Sequence, residues 1–168
     1  MDLNFSKEYK DFTNEVKDFC KKYSGIHFSD STKVPLSGSF KSGEIKMKRS
    51  DWQKILIEKG YFARSIPTEY GGFGGESDII KTRIIAEEFA KAKIPPPMGG
   101  QGIDMLVPTL LELGTEEQKQ KYVKSTLLGE TIWCQGYSEP NAGSDLANLQ
   151  TKGELINGSW VINGQKIW

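Results

Sequence analysis

The hydrophobic period changes once along this chain, near residue 130, and that change constrains the fold more than any other feature. Before it, apolar residues recur every three or four positions, the repeat of a helix. After it they fall in short runs separated by Asn-Gly pairs, the pattern of antiparallel strands. The expected class is α+β with segregated parts: an all-α domain over residues 1–130, then the first strands of an antiparallel β domain over 131–168.

The helical part opens with Phe5, Tyr9, Phe12, Val16, Phe19 and Tyr23 on one stripe, which predicts a core-facing helix. Residues Gly25 to Gly43 are rich in Ser and Thr and read as a loop. Ser50 is expected to cap a helix carrying Trp52, Ile55 and Leu56, with Gly60 ending it in the left-handed conformation. Four glycines then surround two aromatics in Ile66–Gly75, a spacing that lets backbone approach something closely but is not a phosphate loop. A third helix is predicted from Asp78 to Lys91, its broad face built from Ile79, Ile80, Ile84, Ile85 and Phe89, before three prolines at 95–97 stop it. The apolar run Ile103–Leu113 closes at Gly114, and Thr115 with Gln118 forms a capping box for a helix reaching Leu128.

Beyond the change of period, Thr131–Tyr137 and Leu149–Ile156 are predicted strands, and Asn157-Gly158 and Asn163-Gly164 are both expected to make hairpin turns around Trp160–Ile162. Two or three strands with one apolar face do not bury that face alone, so the chain is expected to be a fragment.

Lys plus Arg and Asp plus Glu both total 22, so no net field draws in nucleic acid or an anionic membrane, and Lys46, Lys48 and Arg49 read as a solvated face. Cys20 and Cys134 lie far apart and His27 is the single histidine, which supports neither a disulfide framework nor a metal site. Both cysteines are expected as buried thiols, the second in a strand. No apolar run approaches a membrane span, and residues 1–10 form neither a secretory signal nor a transit peptide, so a reducing, cytoplasmic setting is expected.

Chemistry concentrates in Gln135–Asp145. Pro140 fixes backbone φ, Gly143 permits close approach of main chain to a ligand, and Ser138 and Ser144 offer hydroxyls. From composition alone, a ligand-binding loop and a plain loop are equally good readings.

The run Ser138-Glu139-Pro140-Asn141-Ala142-Gly143-Ser144-Asp145, followed by Asn163-Gly164-Gln165-Lys166-Ile167-Trp168, resembles the signature region of the acyl-CoA dehydrogenases. Pro67-Thr68-Glu69-Tyr70-Gly71-Gly72 is similar to that family's Pro-x-x-Tyr-Gly-Gly turn, and Gly114–Lys119 to its Gly-[Ser/Thr]-x-x-Gln-[Lys/Arg] junction. The resemblance covers nearly the whole chain and is weakest between residues 24 and 48.

The resemblance implies FAD held against the sheet, with Gln135, Tyr137, Ser138, Gly143, Ser144 and Trp168 as cofactor contacts and Ser144 also binding the acyl-CoA substrate. Glu139 and Asp145 are expected to brace the loop through hydrogen bonds rather than act as acids or bases. The family's reaction pairs removal of the thioester α proton by a carboxylate with hydride transfer from the β carbon to the flavin. No residue here matches that carboxylate, which implies that the base and a carboxy-terminal helical domain are absent and that the chain alone is inactive. An electron-transfer flavoprotein as acceptor and a homo- or hetero-oligomer are further implications. Gln135-Gly136-Tyr137-Ser138 is similar to a branch that handles bulky acyl groups, including steroid side chains. Acyl-CoA oxidases and flavin monooxygenases of the same fold, and a non-catalytic interaction protein derived from it, stay open as alternatives.

Overall fold

In a computed structural model, residues 6–29 and 45–167 are described. The chain divides into two compact units, residues 1–132 and 133–168.

Helix α1 (Lys7–Lys22) buries Val16, Phe19 and Cys20 and packs Tyr9, Phe12 and Tyr23 against the same core, so the aromatic stripe faces inward as its spacing predicts. Phe5 lies outside the described residues. The core is an aromatic stack: Phe19 lies 5.9 Å from the Phe89 ring at 5° and 5.7 Å from Trp52, while Tyr61 meets Phe19 edge-on at 4.9 Å. Such pairs add about 0.5–1.5 kcal/mol each beyond area burial. Leu56 of α2 (Arg49–Glu58) and Ile84 and Ile85 of α3 (Ile79–Ala92) complete this cluster.

A second cluster joins Ile57 of α2 to Tyr70, to Val107 of α4 (Val107–Leu113), and to Val123 and Leu127 of α5 (Glu116–Leu127). Helix α2 therefore serves both clusters, and its Gln53 is fully buried. The Gln53 Nε2 donates to the Leu127 carbonyl at 2.9 Å, and the Met98 N–H donates to Gln53 Oε1 at 2.8 Å. Trp52 Nε1 donates to the Pro95 carbonyl at 3.0 Å, so neighbouring side chains of α2 clamp the segment after α3.

Several local expectations are corrected. Ser50 does not cap α2: the helix already starts at Arg49, with Lys48 at the cap position and no side-chain cap bond. Ile79 is 84% exposed, because Asp78 holds the cap with bonds to the amides of Ile80 and Lys81 and leaves Ile79 on the outer side of the first turn. The Gly25–Gly43 loop begins with a strand, β1 (Ile26–Phe28), paired in parallel with β2 (Ile45–Met47); residues 30–44 lie outside the described residues. By contrast, the Thr115–Gln118 capping box is formed in both directions, and Gly60 follows α2 with φ +68°. A π-helical turn, Gly102–Leu106, leads into α4.

In the turn at Ile66–Gly75, a Cβ on Gly72 would run into Ile66, so the close approach there is to the chain's own backbone. The Tyr70 hydroxyl donates to Glu116 Oε2 at 2.8 Å. That bond, with burial and the negative charge beside it, pushes the hydroxyl up to about 12.

In the second unit, β3 (Lys152–Ile156) and β4 (Ser159–Asn163) form an antiparallel hairpin closed by Asn157 and Gly158, at φ +52° and +80°. Both positive angles belong to the turn that Asn-Gly favours. Leu155, Trp160 and Ile162 share one face and are each more than half exposed. Asn163-Gly164 makes no second hairpin turn: Asn163 ends β4, and Gly164 (φ +154°) instead lets the chain press against Thr151. Thr131–Tyr137 forms no strand ladder, and Cys134 is exposed rather than buried. A strand exists only through a neighbour's hydrogen bonds, and among the described residues this run has none to pair with along its length.

Candidate functional site

The Gln135–Asp145 loop turns sharply at Pro140. Glu139 N–H donates to the Ala142 carbonyl at 2.7 Å and Ala142 N–H returns to Glu139 at 3.1 Å. Proline at the second position of such a turn matches its fixed φ. A short 3₁₀ turn, Leu146–Asn148, follows, and Asn148 Nδ2 donates to the Asn141 carbonyl at 3.0 Å.

Glu139 is the anchor. Its side chain is 7% exposed, yet its carboxylate accepts from the Gln150 amide at 2.7 Å, the Thr151 amide at 2.9 Å and the Lys166 ammonium at 3.0 Å. The carboxyl is held down to about 2, foremost by the Thr151 hydroxyl beside it and then by the Gln150 amide; burial opposes, while the Thr151 amide and Lys166 add to the effect. That hydroxyl makes no formed hydrogen bond among the described residues, so the two amides and the ammonium fix the geometry. The same contacts explain why β3 starts at Lys152 rather than at the expected Leu149: the amides of Gln150 and Thr151 are spent on Glu139.

Around this anchor the expected site residues fall as follows. Tyr137 is 65% exposed, Ser138 and Gln135 are half-buried, and Gly143 and Ser144 are exposed. Apart from its chain neighbours, nothing among the described residues lies within 4 Å of a Cβ built on Gly143. Trp168 lies outside the described residues. The structure brings Tyr137 and Ser138 to the segment after β4: Lys166 Nζ donates to the Tyr137 carbonyl at 2.8 Å, and Ile167 N–H to the Ser138 carbonyl at 2.9 Å. Glu139 braces the loop as expected, but Asp145 does not: its exposed carboxylate makes no hydrogen bond among the described residues. Sequence reading missed Gln150, Thr151 and Lys166, since nothing local to each marks it as a partner of Glu139.

Among the described residues, no group of His, Cys, Asp or Glu is placed to hold a metal ion, and no helix is long and apolar enough to cross a membrane.

Among the described residues, five α-helices followed by a hairpin whose preceding loop is anchored through a buried carboxylate define a class, and comparison with known proteins identifies it. Residues 6–130 match the family model described as acyl-CoA dehydrogenase, N-terminal domain. The chain belongs to the acyl-CoA dehydrogenase family. It is 39% identical over 143 residues to acyl-CoA dehydrogenase IpdE1 of Mycolicibacterium smegmatis, a match covering 79% of this chain and 36% of that protein. The solved structure named "Tcur3481-Tcur3483 steroid ACAD" is similar at a TM-score of 0.58 and 27% identity, over 99% of this chain and 41% of that one. An acyl-CoA dehydrogenase from Bacillus anthracis, solved in complex with FAD, is similar at 0.50 and 25%, over 100% of this chain and 28% of that one. The chain thus spans well under half the length of these proteins.

Proposed function

We propose that this chain supplies one wall of the FAD and acyl-thioester site of an acyl-CoA dehydrogenase that oxidises acyl-CoA at its α,β bond. The observation that carries the reading is the Glu139-anchored loop, which presents Tyr137, Gly143 and Ser144 outward with open space over Gly143. That cradle fits a flat, polar-edged ring: main chain is free to approach at Gly143, while the hydroxyls of Ser138 and Ser144 are available to hydrogen-bond. FAD bound there would supply the acceptor for the hydride that leaves the substrate's β carbon. Gln135, Tyr137 and Ser138 would hold the ring edge, where preorganised donors favour developing negative charge once water is excluded. Gly143 would line the approach, and Ser144 would hydrogen-bond the acyl-CoA arm.

The likeness to the FAD-complexed Bacillus anthracis enzyme supports the cofactor. The likeness to a steroid ACAD, together with the Gln135–Ser138 run, supports a bulky acyl group and, through its two-protein name, a hetero-oligomer. An electron-transfer flavoprotein is proposed as acceptor, and a cytoplasmic setting as location.

The test is anaerobic titration of the whole protein with a steroid side-chain thioester and with butyryl-CoA. Bleaching of a bound flavin, faster with the bulky thioester, is the expected result, and the 168 residues alone give no turnover. A whole protein that binds no FAD overturns the reading. Within the active protein, Ser144→Ala should raise KM with kcat nearly unchanged, by about 0.5–1.5 kcal/mol, the worth of one neutral hydrogen bond. A collapse of kcat at constant KM would assign Ser144 to the chemistry instead.

A further inference from the structure

We propose that Lys166 is a positioning residue of this site: by tying the Glu139 carboxylate to the Tyr137 carbonyl, it holds the loop in register with the segment that follows β4. The inference rests on the flavin reading above.

Lys166 reaches Glu139 Oε1 at 3.0 Å and the Tyr137 carbonyl at 2.8 Å. Its stem passes Gly136, where a Cβ would stand 3.4 Å from Lys166 Cγ. Beside it, Ile167 N–H donates to the Ser138 carbonyl at 2.9 Å. Two attachments at consecutive residues on each side fix both the offset and the orientation of the paired segments. Those segments carry Tyr137 and Ser138 on one side, and Trp168 follows Ile167 in sequence on the other.

The pair differs from an ordinary surface ion pair, which contributes little, because Glu139 is almost fully buried while its lysine is only 31% exposed. Glu139 also keeps two amide donors without Lys166, so the Pro140 turn does not need the ammonium to form. Without it, only the Ile167–Ser138 backbone bond of the two attachments is left to hold loop and segment together. Removal of Lys166 should therefore leave the loop folded but misplace what it presents.

The experiment uses the whole protein with Lys166→Met and Lys166→Arg. In Lys166→Met, amide exchange should stay slow at Gln150 and Thr151 and accelerate at Ile167. The FAD dissociation constant should rise about ten-fold, as the loss of a charge-assisted bond implies. The visible circular dichroism of the bound flavin should change, and kcat should fall by on the order of 10²-fold with KM for the acyl-CoA little moved, the mark of misplacement rather than lost binding. Lys166→Arg should restore most of each quantity. If Lys166→Met does not fold, Lys166→Gln keeps a donor for the Tyr137 carbonyl without the charge and is judged by the same readouts. Wild-type protein that binds FAD beside a variant with unchanged affinity, dichroism and kcat overturns this inference alone. Wild-type protein that binds no FAD overturns the flavin reading and this inference with it.

Discussion

Gly143 and Gly164 have opposite surroundings, and substitutions at them separate ligand binding from folding. Apart from its chain neighbours, a Cβ at Gly143 meets nothing within 4 Å among the described residues, so Gly143→Val should leave the 133–168 unit folded and reduce affinity for FAD or acyl-CoA. At Gly164, with φ +154°, a Cβ would stand 2.6 Å from the Thr151 Cα, so Gly164→Ala should destabilise the unit by about 1–3 kcal/mol, the usual cost of overpacking. Urea unfolding followed by the fluorescence of Trp160, with flavin titration on the same samples, distinguishes the two. Equal flavin affinity in Gly143→Val and wild type would make that loop an ordinary one. At this scale the open space at Gly143 agrees with a glycine that lets main chain approach a ligand, and the titration above tests that role. Lys166 was not legible in the sequence: it meets Tyr137 across 29 residues, and a lysine in a polar run carries no mark of a distant carbonyl.

Elements were legible where their signals are local. The Thr115–Gln118 capping box and the Asn157-Gly158 turn each close within four residues, and both formed as read. The strands β1 and β2 have three residues each and no periodicity to detect, and β3 lost its first expected residues to a side chain eleven positions upstream. Helix α2 shows the reverse case, in which a polar residue holds elements together. Gln53 bonds to both the Met98 segment and the end of α5. Gln53→Leu should leave the part-buried Met98 N–H and the buried Leu127 carbonyl unpaired, at up to about 1–3 kcal/mol each. Thermal unfolding of the helical unit should report a correspondingly lower midpoint. A loss below about 0.5 kcal/mol, the range of surface changes, would mean that water replaces both bonds.

The whole molecule should respond to pH at two ends for two reasons. Glu139 is depressed from an unfolded value of about 4.3 to about 2, so its contribution is complete above the higher value and disappears as pH falls through the lower one. Tyr70 is raised from an unfolded value of about 10 to about 12, so the Tyr70–Glu116 contact is intact below the first value and lost as pH rises through the second. The protection of the Gln150 and Thr151 amides relative to their intrinsic exchange rates should stay constant from pH 8 to 5 and fall in acid. The ultraviolet titration of Tyr70, isolated by Tyr70→Phe, should lie above that of an exposed tyrosine. Loss of protection at Gln150 already at neutral pH would contradict the geometry around Glu139.

Spans of chain differ as sharply as charge does. Glu139 finds its amides 11 and 12 residues away, whereas Lys81 reaches Glu8 across 73 residues and Gln53 reaches Leu127 across 74. Loop-closure entropy grows with the logarithm of the span, so the longer closures cost about 1.6 kcal/mol more before any contact rewards them. The loop that carries the candidate site can therefore assemble early and on its own, while the helical unit waits for distant halves of its sequence to meet. A mutation that slows the helical unit would leave a correctly shaped loop on a chain that is otherwise still searching for its fold.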